Sequence, residues 1–429
     1  MSVGAAAVIW MVIRGWDKTT YDHADFYDFY WGAHAARHGT DMYQAGDGGY
    51  IYPPLLGVLM IPLTFLSPQP AMKLWIVLCA LLLVWCVWKC VKVACEAFDY
   101  KTTRLGEWTL SAMTLLVLAD SFRGEFEWAN SNIVMLCGIV LGLAWLRKRP
   151  ALAGAAIAFA CAIKYLPIAF LPYFLVRRQW RAAAGMVTGL AACAMLPALW
   201  LGWEKNASYL ATALRGMAVM SGATTTAEPA ANVLSITRNY SLSITSGIAR
   251  MLGPDRSFSS LAMWTAAALA LAVMVAWTLY RTKGVGFFTP HVHIAELKSA
   301  NQSPEVSPRE KTQTAFNMLW FAEYCAVLAA ALAFAPQTQK RHFNLLVPLI
   351  AGLVVIVAKL PGKARIICIT ALLAFAAGVT PMPNIPGLRT FIDDVWKWGG
   401  GPGWLVIAVS FALVWIALSR TTPHTSDHV

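Results

Sequence analysis

The feature that most constrains this chain is a succession of apolar runs, each near the length of a membrane-spanning helix, that continues from one end to the other. A helix needs about 20 apolar residues to cross the hydrocarbon core of a bilayer. Of the 429 residues, 58% are hydrophobic and only 13% are charged. A soluble domain averages roughly 25% charged residues. The sequence therefore excludes an ordinary soluble enzyme and predicts an all-α polytopic membrane protein, with one domain over residues 1–429.

Basic connections between the apolar runs set the topology. The formal net charge is +12, from 34 Lys and Arg against 22 Asp and Glu. On a membrane protein this excess indicates cytoplasmic loops facing anionic lipid rather than binding of nucleic acid. Placing all basic connections inside predicts about twelve crossings with both termini inside. The predicted spans are 2–14, 71–95, 105–121, 131–147, a two-span hairpin within 151–176, then 182–202, 259–281, 315–335, 344–359, 363–380 and 403–420.

Two segments depart from this regular alternation. The run Pro53–Leu66 is apolar but short, and a full crossing there would invert every later loop, so we expect a partial or re-entrant helix. In the hairpin, the bend is predicted at Lys164 to Pro167. Residues 15–52 then form the first outer loop, and residues 284–311 form a flexible cytoplasmic loop.

The first outer loop is rich in carboxylates. Residues 17–47 hold six of the 22 acidic residues, and Asp25 and Asp28 are three apart, so they share one face of a helix. One interpretation is a solvated acidic helix at the membrane interface. The other is a general base that takes a proton from an attacking hydroxyl. A single Asp working with separate cations suits transfer from a phosphate-activated donor, since no second carboxylic acid is needed to protonate the leaving group.

Cationic residues are predicted on the same side as these carboxylates. Lys164 lies at the bend of an apolar hairpin, where it is either a functional residue or a lysine that reaches the interface. Lys340, Arg341 and His342 form a positive cluster on the predicted outer side, against the positive-inside tendency. An anion such as a lipid phosphate would explain the cluster, and a local reversal of topology is the alternative.

Metal and disulfide chemistry are not indicated. The nine cysteines lie in or beside apolar runs, with no CxxC pair and no Cys/His cluster. Asp25 and Asp28 alone are a poor set of metal ligands, because a cation such as Ca²⁺ takes about six to eight oxygen ligands. We therefore predict an enzyme that needs neither a metal nor another cofactor.

Several spaced motifs resemble glycosyltransferase family 87, and together they cover most of residues 20–350. Asn130 and Tyr240 replace the family's Gln, and Ala335 replaces its Ser, so substrate details are open. The motifs are Asp25-Phe26-x-x-Phe29-Tyr30-Trp31 with Gly39 and Asp41-Met42-Tyr43, then Tyr52-Pro53-Pro54-Leu55, Asn130-Ser131-Asn132, Lys164-Tyr165-Leu166-Pro167, Asn239-Tyr240-Ser241-Leu242 with Arg250, and Ala335-Pro336 followed by Arg341-His342.

The resemblance implies a GT-C bundle in a bacterial cytoplasmic membrane, with juxtamembrane helices in the first outer loop and an active site facing the exterior. It also implies a polyprenyl-phosphate sugar as donor, with mannose as the first expectation, and a glycolipid, polysaccharide or other hydroxyl compound as acceptor. Asp25 matches the family's base, with Asp28 as the alternative, and His342 matches the histidine near the donor phosphate. The remaining expected substrate-binding residues are Lys164, Asn239, Arg341, Lys340, Tyr30, Tyr52 and Asn132.

Two other classes of function compete with the enzyme. A lipid or glycan transporter or flippase predicts charged residues well inside several spans and internal symmetry. A membrane scaffold predicts loops that bind partner proteins. The polar residues concentrate on one predicted side of the membrane, which favours the enzyme.

Overall fold

The computed structural model describes residues 2–19, 24–223, 231, 233–287, 308–379 and 387–421. Within these ranges the chain forms helices and turns and contains no β-strand, which confirms the prediction of an all-α protein. Of the predicted cytoplasmic loop 284–311, residues 288–307 lie outside the described residues, and the chain is already helical from Pro308 onward.

Eighteen α-helices of four residues or more are described, and we number them in chain order. They are α1 (Ser2–Asp17), α2 (Asp25–His38), α3 (Pro54–Leu59), α4 (Pro68–Ala97), α5 (Arg104–Val117), α6 (Ala119–Glu127), α7 (Asn132–Trp145), α8 (Pro150–Ile163), α9 (Phe170–Val176), α10 (Trp180–Met195), α11 (Ala198–Leu201), α12 (Trp203–Met220), α13 (Ile244–Leu252), α14 (Phe258–Thr282), α15 (Pro308–Phe334), α16 (Val347–Lys359), α17 (Lys363–Val379) and α18 (Gly401–Thr421). Short 3₁₀ helices include Ile61–Phe65, Leu166–Ala169 and Lys340–Leu346.

Helix starts follow local sequence signals. Proline is the first residue of α4 and of α8, where its missing N–H costs no helical hydrogen bond. The Thr103 hydroxyl accepts a hydrogen bond from the Gly106 N–H at 3.2 Å ahead of α5. Ser257 does the same for Ser260 at 3.1 Å ahead of α14. These caps satisfy N–H groups that have no partner within the helix and so fix where each of these two helices begins.

Six described segments are long and apolar enough to cross a membrane. The others that the sequence predicts as spans are shorter helices, so the structure supports a multi-pass membrane protein but matches the predicted twelve crossings only in part. The six are Pro68–Ala97, Trp180–Leu201, Phe258–Thr282, Asn317–Phe334, Lys340–Lys359 and Gly401–Arg420, and three of the shorter apolar helices are Asn132–Trp145, Pro150–Ile163 and Leu166–Val176.

The short apolar run after residue 52 does not form a span. It folds into the six-residue α3 and the 3₁₀ helix Ile61–Phe65, and six helical residues extend only about 9 Å. The carbonyl oxygens of this segment anchor α2, since the Tyr30 hydroxyl donates to Leu66 at 2.8 Å and Arg37 donates to Thr64 at 2.9 Å. The expectation of a partial helix is confirmed, and the segment supports the first loop.

Basic residues meet at one end of the bundle, which we call the basic end. Lys359, the last residue of α16, donates to the carbonyl oxygens of Phe98 and Asp99, which follow α4. Arg420 lies near enough to Lys359 for their charges to interact. Helices α2 and α6 lie at the opposite end, the site end, where the backbone N–H of Phe26 donates to the Trp128 carbonyl at 3.3 Å.

Helices α7 and α8 pack almost backbone to backbone. A Cβ atom on Gly138 of α7 would lie 2.7 Å from the carbonyl oxygen of Ala156 on α8, closer than real Cβ atoms approach oxygen. The absence of a side chain at Gly138 thus permits the helix spacing. Because Asn132 begins α7 and Lys164 directly follows α8, this contact also sets the relative height of two polar residues at the site end.

Candidate functional site

The position of Asp25 at the start of α2 determines its surroundings. It is the first residue of that helix, and the N-terminal end of a helix favours a carboxylate because free N–H groups and the helix dipole are directed toward it. Phe26 and Phe29 are fully buried beside it, and Gly39 ends the helix in a left-handed conformation at φ 75°. The aromatic residues of the motif therefore anchor α2 in the protein core and hold Asp25 at the surface of the bundle.

One oxygen of Asp25 is held by two other segments. Arg341 Nη2 lies 3.0 Å from Asp25 Oδ2, and the two side chains are 15% and 18% exposed. Asn130 Nδ2 donates to the same oxygen. Asp25 Oδ1 accepts no hydrogen bond from the described residues. The carboxylate is thus fixed through one oxygen while the other remains available.

Lys164 lies at the predicted bend, directly after the last residue of α8. Its Nζ atom donates to Asn130 Oδ1 and to Asn132 Oδ1, both at 2.7 Å, and lies 4.9 Å from the centre of the Tyr52 ring. Five of the sequence-predicted site residues, Asp25, Lys164, Arg341, Asn132 and Tyr52, therefore meet at one place.

The structure adds a carboxylate that the sequence did not single out. Glu125, in α6, is 1% exposed and accepts from Asn132 Nδ2 at 2.7 Å and from the Ile133 N–H at 3.3 Å. Asn130, which the sequence analysis named only as a departure from the family motif, is also 1% exposed. Glu125 lies near the end of α6 and Asn130 shortly before α7, and this position in a short polar stretch is the available signal. We call Asp25, Asn130, Asn132, Glu125, Lys164 and Arg341 the site cluster.

Arg341 has unused hydrogen-bonding capacity. Its Nε and Nη1 atoms are buried and have no hydrogen-bond partner among the described residues. Its guanidinium carbon lies 5.5 Å from the centre of the Trp128 ring, so the charge is held over an aromatic face. Buried donors without partners are costly unless a ligand or water meets them. These atoms are therefore suited to an anionic ligand.

The neighbours of Arg341 have separate contacts. His342 Nδ1 accepts a hydrogen bond from the backbone N–H of Gln339 at 3.2 Å, so a neutral imidazole carries its proton on Nε2. Lys340 forms an ion pair with Asp120 of α6. That Asp also accepts from Arg123 at 3.0 Å, so Lys340 belongs to a charged network on α6.

Asp28, the alternative base, lies one helical turn after Asp25. No hydrogen bond or ion pair among the described side chains joins it to Lys164 or Arg341. Burial, together with the nearby charges of Asp25 and Asp47, raises the pKa of Asp28 from 3.8 to about 7. A carboxyl group in this state is partly protonated at neutral pH, and it is not connected to the cations.

Two predicted substrate-binding residues lie apart from the site cluster. The Tyr30 hydroxyl donates to the Leu66 carbonyl, as noted above. Asn239 is exposed in a turn before α13 and makes no described contact with the cluster. Arg250 holds that turn by donating to the carbonyl oxygens of Arg238 at 2.9 Å and Ser241 at 3.1 Å. Among the described residues no group of three His, Cys, Asp or Glu side chains is arranged to hold a metal; metal independence stays a prediction.

Comparison with known proteins places the arrangement in a family. The sequence model of glycosyltransferase family 87 matches residues 50–290. A polyprenol-phosphate-mannose-dependent alpha-(1-2)-phosphatidylinositol mannoside mannosyltransferase of Mycolicibacterium smegmatis is 24% identical over 98% of this chain and 90% of its own length. The protein with the same description from Mycobacterium tuberculosis is 24% identical over 55% of this chain and 53% of its own. The chain is a multi-pass membrane protein that belongs to glycosyltransferase family 87.

Proposed function

We propose that this protein transfers mannose from polyprenyl-phosphate mannose to a hydroxyl group of a phosphatidylinositol mannoside or a related glycolipid, with Asp25 as general base and with inversion at the anomeric carbon. The donor and acceptor are those named for the two mycobacterial relatives. The observation that carries the residue assignment is the geometry of Asp25, whose Oδ2 is held by Arg341 and Asn130 while Oδ1 has no partner among the described residues.

In the proposed reaction, Asp25 Oδ1 accepts the proton of the acceptor hydroxyl as that oxygen forms the new bond to the anomeric carbon. The bond from this carbon to the phosphate oxygen breaks on the opposite face, which inverts the configuration, and polyprenyl phosphate leaves with the electron pair. A positioned base of this kind contributes typically about 10²- to 10⁴-fold in rate. Arg341 and Asn130 prevent rotation of the carboxylate, so Oδ1 keeps its direction.

The negative charge of the departing phosphate is stabilised by cationic and hydrogen-bond-donating residues of the site. Arg341 offers Nε and Nη1, which have no described partner, and His342 offers Nε2–H. Lys164 adds a positive charge on the other side of Asn130. Charged donors fixed in place where negative charge develops stabilise a transition state without further reorganisation. A phosphate leaving group needs no protonation by an acid, which agrees with the single available carboxylate oxygen.

The site end is proposed to face the exterior. Lys359 and Arg420 lie close together at the basic end, beside the segment that follows α4, and the positive-inside tendency favours the cytoplasm for that end. A donor carried by a lipid is reached from the membrane, so no nucleotide sugar is required outside the cell.

Asp25 is preferred over Asp28 as the base because of its contacts. Asp25 is joined directly to Arg341 and, through Asn130, to Lys164. Asp28 has a pKa raised to about 7, which suits a base, but it is one turn away from the cations that would hold the donor phosphate. A base must lie within hydrogen-bonding reach of the hydroxyl that attacks the bound sugar.

The donor and base are tested together with purified full-length protein in lipid vesicles. A panel of radiolabelled polyprenyl-phosphate sugars, including mannose, is supplied with phosphatidylinositol mannoside, and the lipid products are separated and identified by mass spectrometry. We expect transfer from the mannose donor and none in the Asp25→Asn variant. Transfer by Asp25→Asn with loss in Asp28→Asn would move the base, and no transfer from any of the donors would refute the donor class.

The orientation is tested by labelling intact cells with a maleimide that does not cross membranes. A cysteine at Gln337, near His342, is expected to react from outside, whereas a cysteine at Lys363, at the start of α17, is expected to react only after permeabilisation. The wild-type chain is the control for its nine thiols, seven of which are buried. The reverse pattern would place the site in the cytoplasm.

A further inference from the structure

Glu125 ends a continuous chain of hydrogen bonds that begins at Asp25. Glu125 accepts from Asn132 Nδ2, and Asn132 Oδ1 accepts from Lys164 Nζ. Lys164 also donates to Asn130 Oδ1, whose Nδ2 group donates to Asp25. Lys164 therefore sits between two amide oxygens, and each amide presents its NH₂ group to a carboxylate.

The direction of these hydrogen bonds is set by the groups at the ends. An ionised carboxylate only accepts and an ammonium group only donates, whereas an asparagine amide does both. Both oxygens of Glu125 accept from N–H donors, an arrangement that favours the ionised carboxylate. Asn132 must then present its NH₂ group to Glu125 and its oxygen to Lys164. Because Lys164 can only donate, Asn130 also presents its oxygen to Lys164, and its NH₂ group is directed to Asp25.

We infer that Glu125 is a positioning residue for the transfer reaction, which fixes Lys164 and, through Asn130, the orientation of Asp25. The inference rests on the proposed function of Asp25 and Lys164. Glu125 has no route to the substrate, because it is 1% exposed and its described side-chain contacts are Asn132 and Ile133. Its effect on the reaction is therefore transmitted through the amides.

The charge of Glu125 acts on Lys164 as well. Lys164 follows the apolar part of α8, and burial together with Arg341 lowers its pKa to about 8, while Glu125 and Asp25 oppose this decrease. The titratable and charged groups that face Lys164 are Asp25, Tyr52, Glu125, Arg341 and His342. Loss of the Glu125 charge removes one of the two groups that keep Lys164 protonated. As the pH rises, Lys164 then loses its proton at a lower pH than in the wild type, and the activity that depends on its charge is lost with it.

The test compares Glu125→Gln with Glu127→Gln, a matched change two residues along α6. Glu127 accepts from Arg123 at 3.3 Å and lies outside the site cluster. With polyprenyl-phosphate mannose and phosphatidylinositol mannoside as substrates, we expect kcat of Glu125→Gln to fall about 10²-fold, as small displacements of reacting groups do. The alkaline limb of its pH–rate profile moves to lower pH. Glu127→Gln retains the wild-type rate and profile.

Glu125→Asp separates positioning from a purely structural role. It keeps the charge, so the alkaline limb stays near its wild-type position and part of the lost rate returns. Unchanged rate and profile in Glu125→Gln, while Asp25→Asn is inactive, would overturn the role of Glu125 and leave the base intact. An active Asp25→Asn would instead refute the proposed base. Loss of folded protein in both Glu125 variants, judged by size-exclusion chromatography in detergent, would assign Glu125 a structural role and also overturn the inference.

Discussion

Two clusters of buried charge lie at opposite ends of the bundle, and they differ in how fully their hydrogen bonds are used. At the basic end Glu323 accepts from Arg177 Nε at 3.0 Å, from the Tyr173 hydroxyl at 3.1 Å and from the Tyr280 hydroxyl. Arg177 also donates to the carbonyl oxygen of Phe287. These contacts join α9, α14 and α15, and the Arg177 and Glu323 side chains are only 4% and 6% exposed.

The site cluster is equally ionic but incompletely paired. Arg341 Nε and Nη1 are buried and have no hydrogen-bond partner among the described residues. Both described side-chain contacts of Asp25 are made by Oδ2, which leaves Oδ1 for a ligand. A buried charge pair whose groups are satisfied within the chain serves the fold, whereas one with donors and an acceptor left over is prepared for a ligand. Burial of charge therefore does not identify a functional site, whereas unused hydrogen-bonding capacity does.

The largest expected effect is on catalysis at the site cluster. Asp25→Asn removes the proton acceptor but keeps the shape of the side chain, so transfer falls by about 10³-fold or more while the melting temperature in detergent stays within a few degrees of wild type. Product formation from radiolabelled polyprenyl-phosphate mannose measures the loss. Substantial residual transfer would mean that the cluster at the site end does not supply the base.

At the basic end we expect the opposite result, a loss of stability without a loss of transfer per folded molecule. Glu323→Gln removes the carboxylate charge that is paired with the buried guanidinium of Arg177, and breaking a buried ion pair in this way lowers the free energy of unfolding by about 3–5 kcal/mol. The melting temperature in detergent and the rate per folded molecule are measured together. The comparison between the clusters would fail if Glu323→Gln kept its melting temperature and lost transfer.

A smaller effect is expected when only the spare donors of Arg341 change. Arg341→Lys keeps the charge but loses the forked guanidinium, so kcat/KM for polyprenyl-phosphate mannose falls about 10- to 100-fold, the value of a charged hydrogen bond. Arg123→Lys in α6 is the matched control and is expected to behave as wild type. Equal behaviour of the two variants would remove Arg341 from the donor site.

The smallest effect is a dependence of stability on pH at Asp28. Its pKa rises to about 7 in the folded protein, so the folded state binds a proton more tightly than the unfolded chain, and stability decreases as the pH rises from about 4 through 7. Asp28→Asn removes this dependence. Its melting temperature should exceed that of wild type by about 1–3 °C at pH 8 and equal it near pH 4. A lower melting temperature at pH 8 would reverse the assigned sign.

Much of the fold is predictable from the sequence because every membrane-spanning helix must meet the same requirements of apolar length and flanking charge. Apolar length and the distribution of Lys and Arg predict where helices lie, and a bend at Lys164 is confirmed at the end of α8. The number of crossings is harder to predict, since several apolar runs fold into helices shorter than a bilayer is thick. Their ends are set by packing against neighbours, and a single sequence does not show that packing.

The site is predictable where motif residues contact one another. Asp25, Lys164 and Arg341 come from three distant parts of the chain and meet in the structure. Glu125 escapes prediction because it is one of three acidic residues in the short helix α6 and no motif marks it, and its partners follow it on α7. Conversely, the position of Tyr30 in a motif does not reveal that its hydroxyl donates to a backbone carbonyl.

Because of the close contact at Gly138, the site is sensitive to substitutions deep within the helical bundle, away from the site cluster. Gly138 is six residues beyond Asn132, about 9 Å along α7, and even a methyl group there would push α7 from the Ala156 backbone. A random screen for inactive enzyme should therefore recover substitutions of this apolar glycine beside those of Asp25. In natural variants, tolerance of change would be as narrow at this contact as among the charged residues.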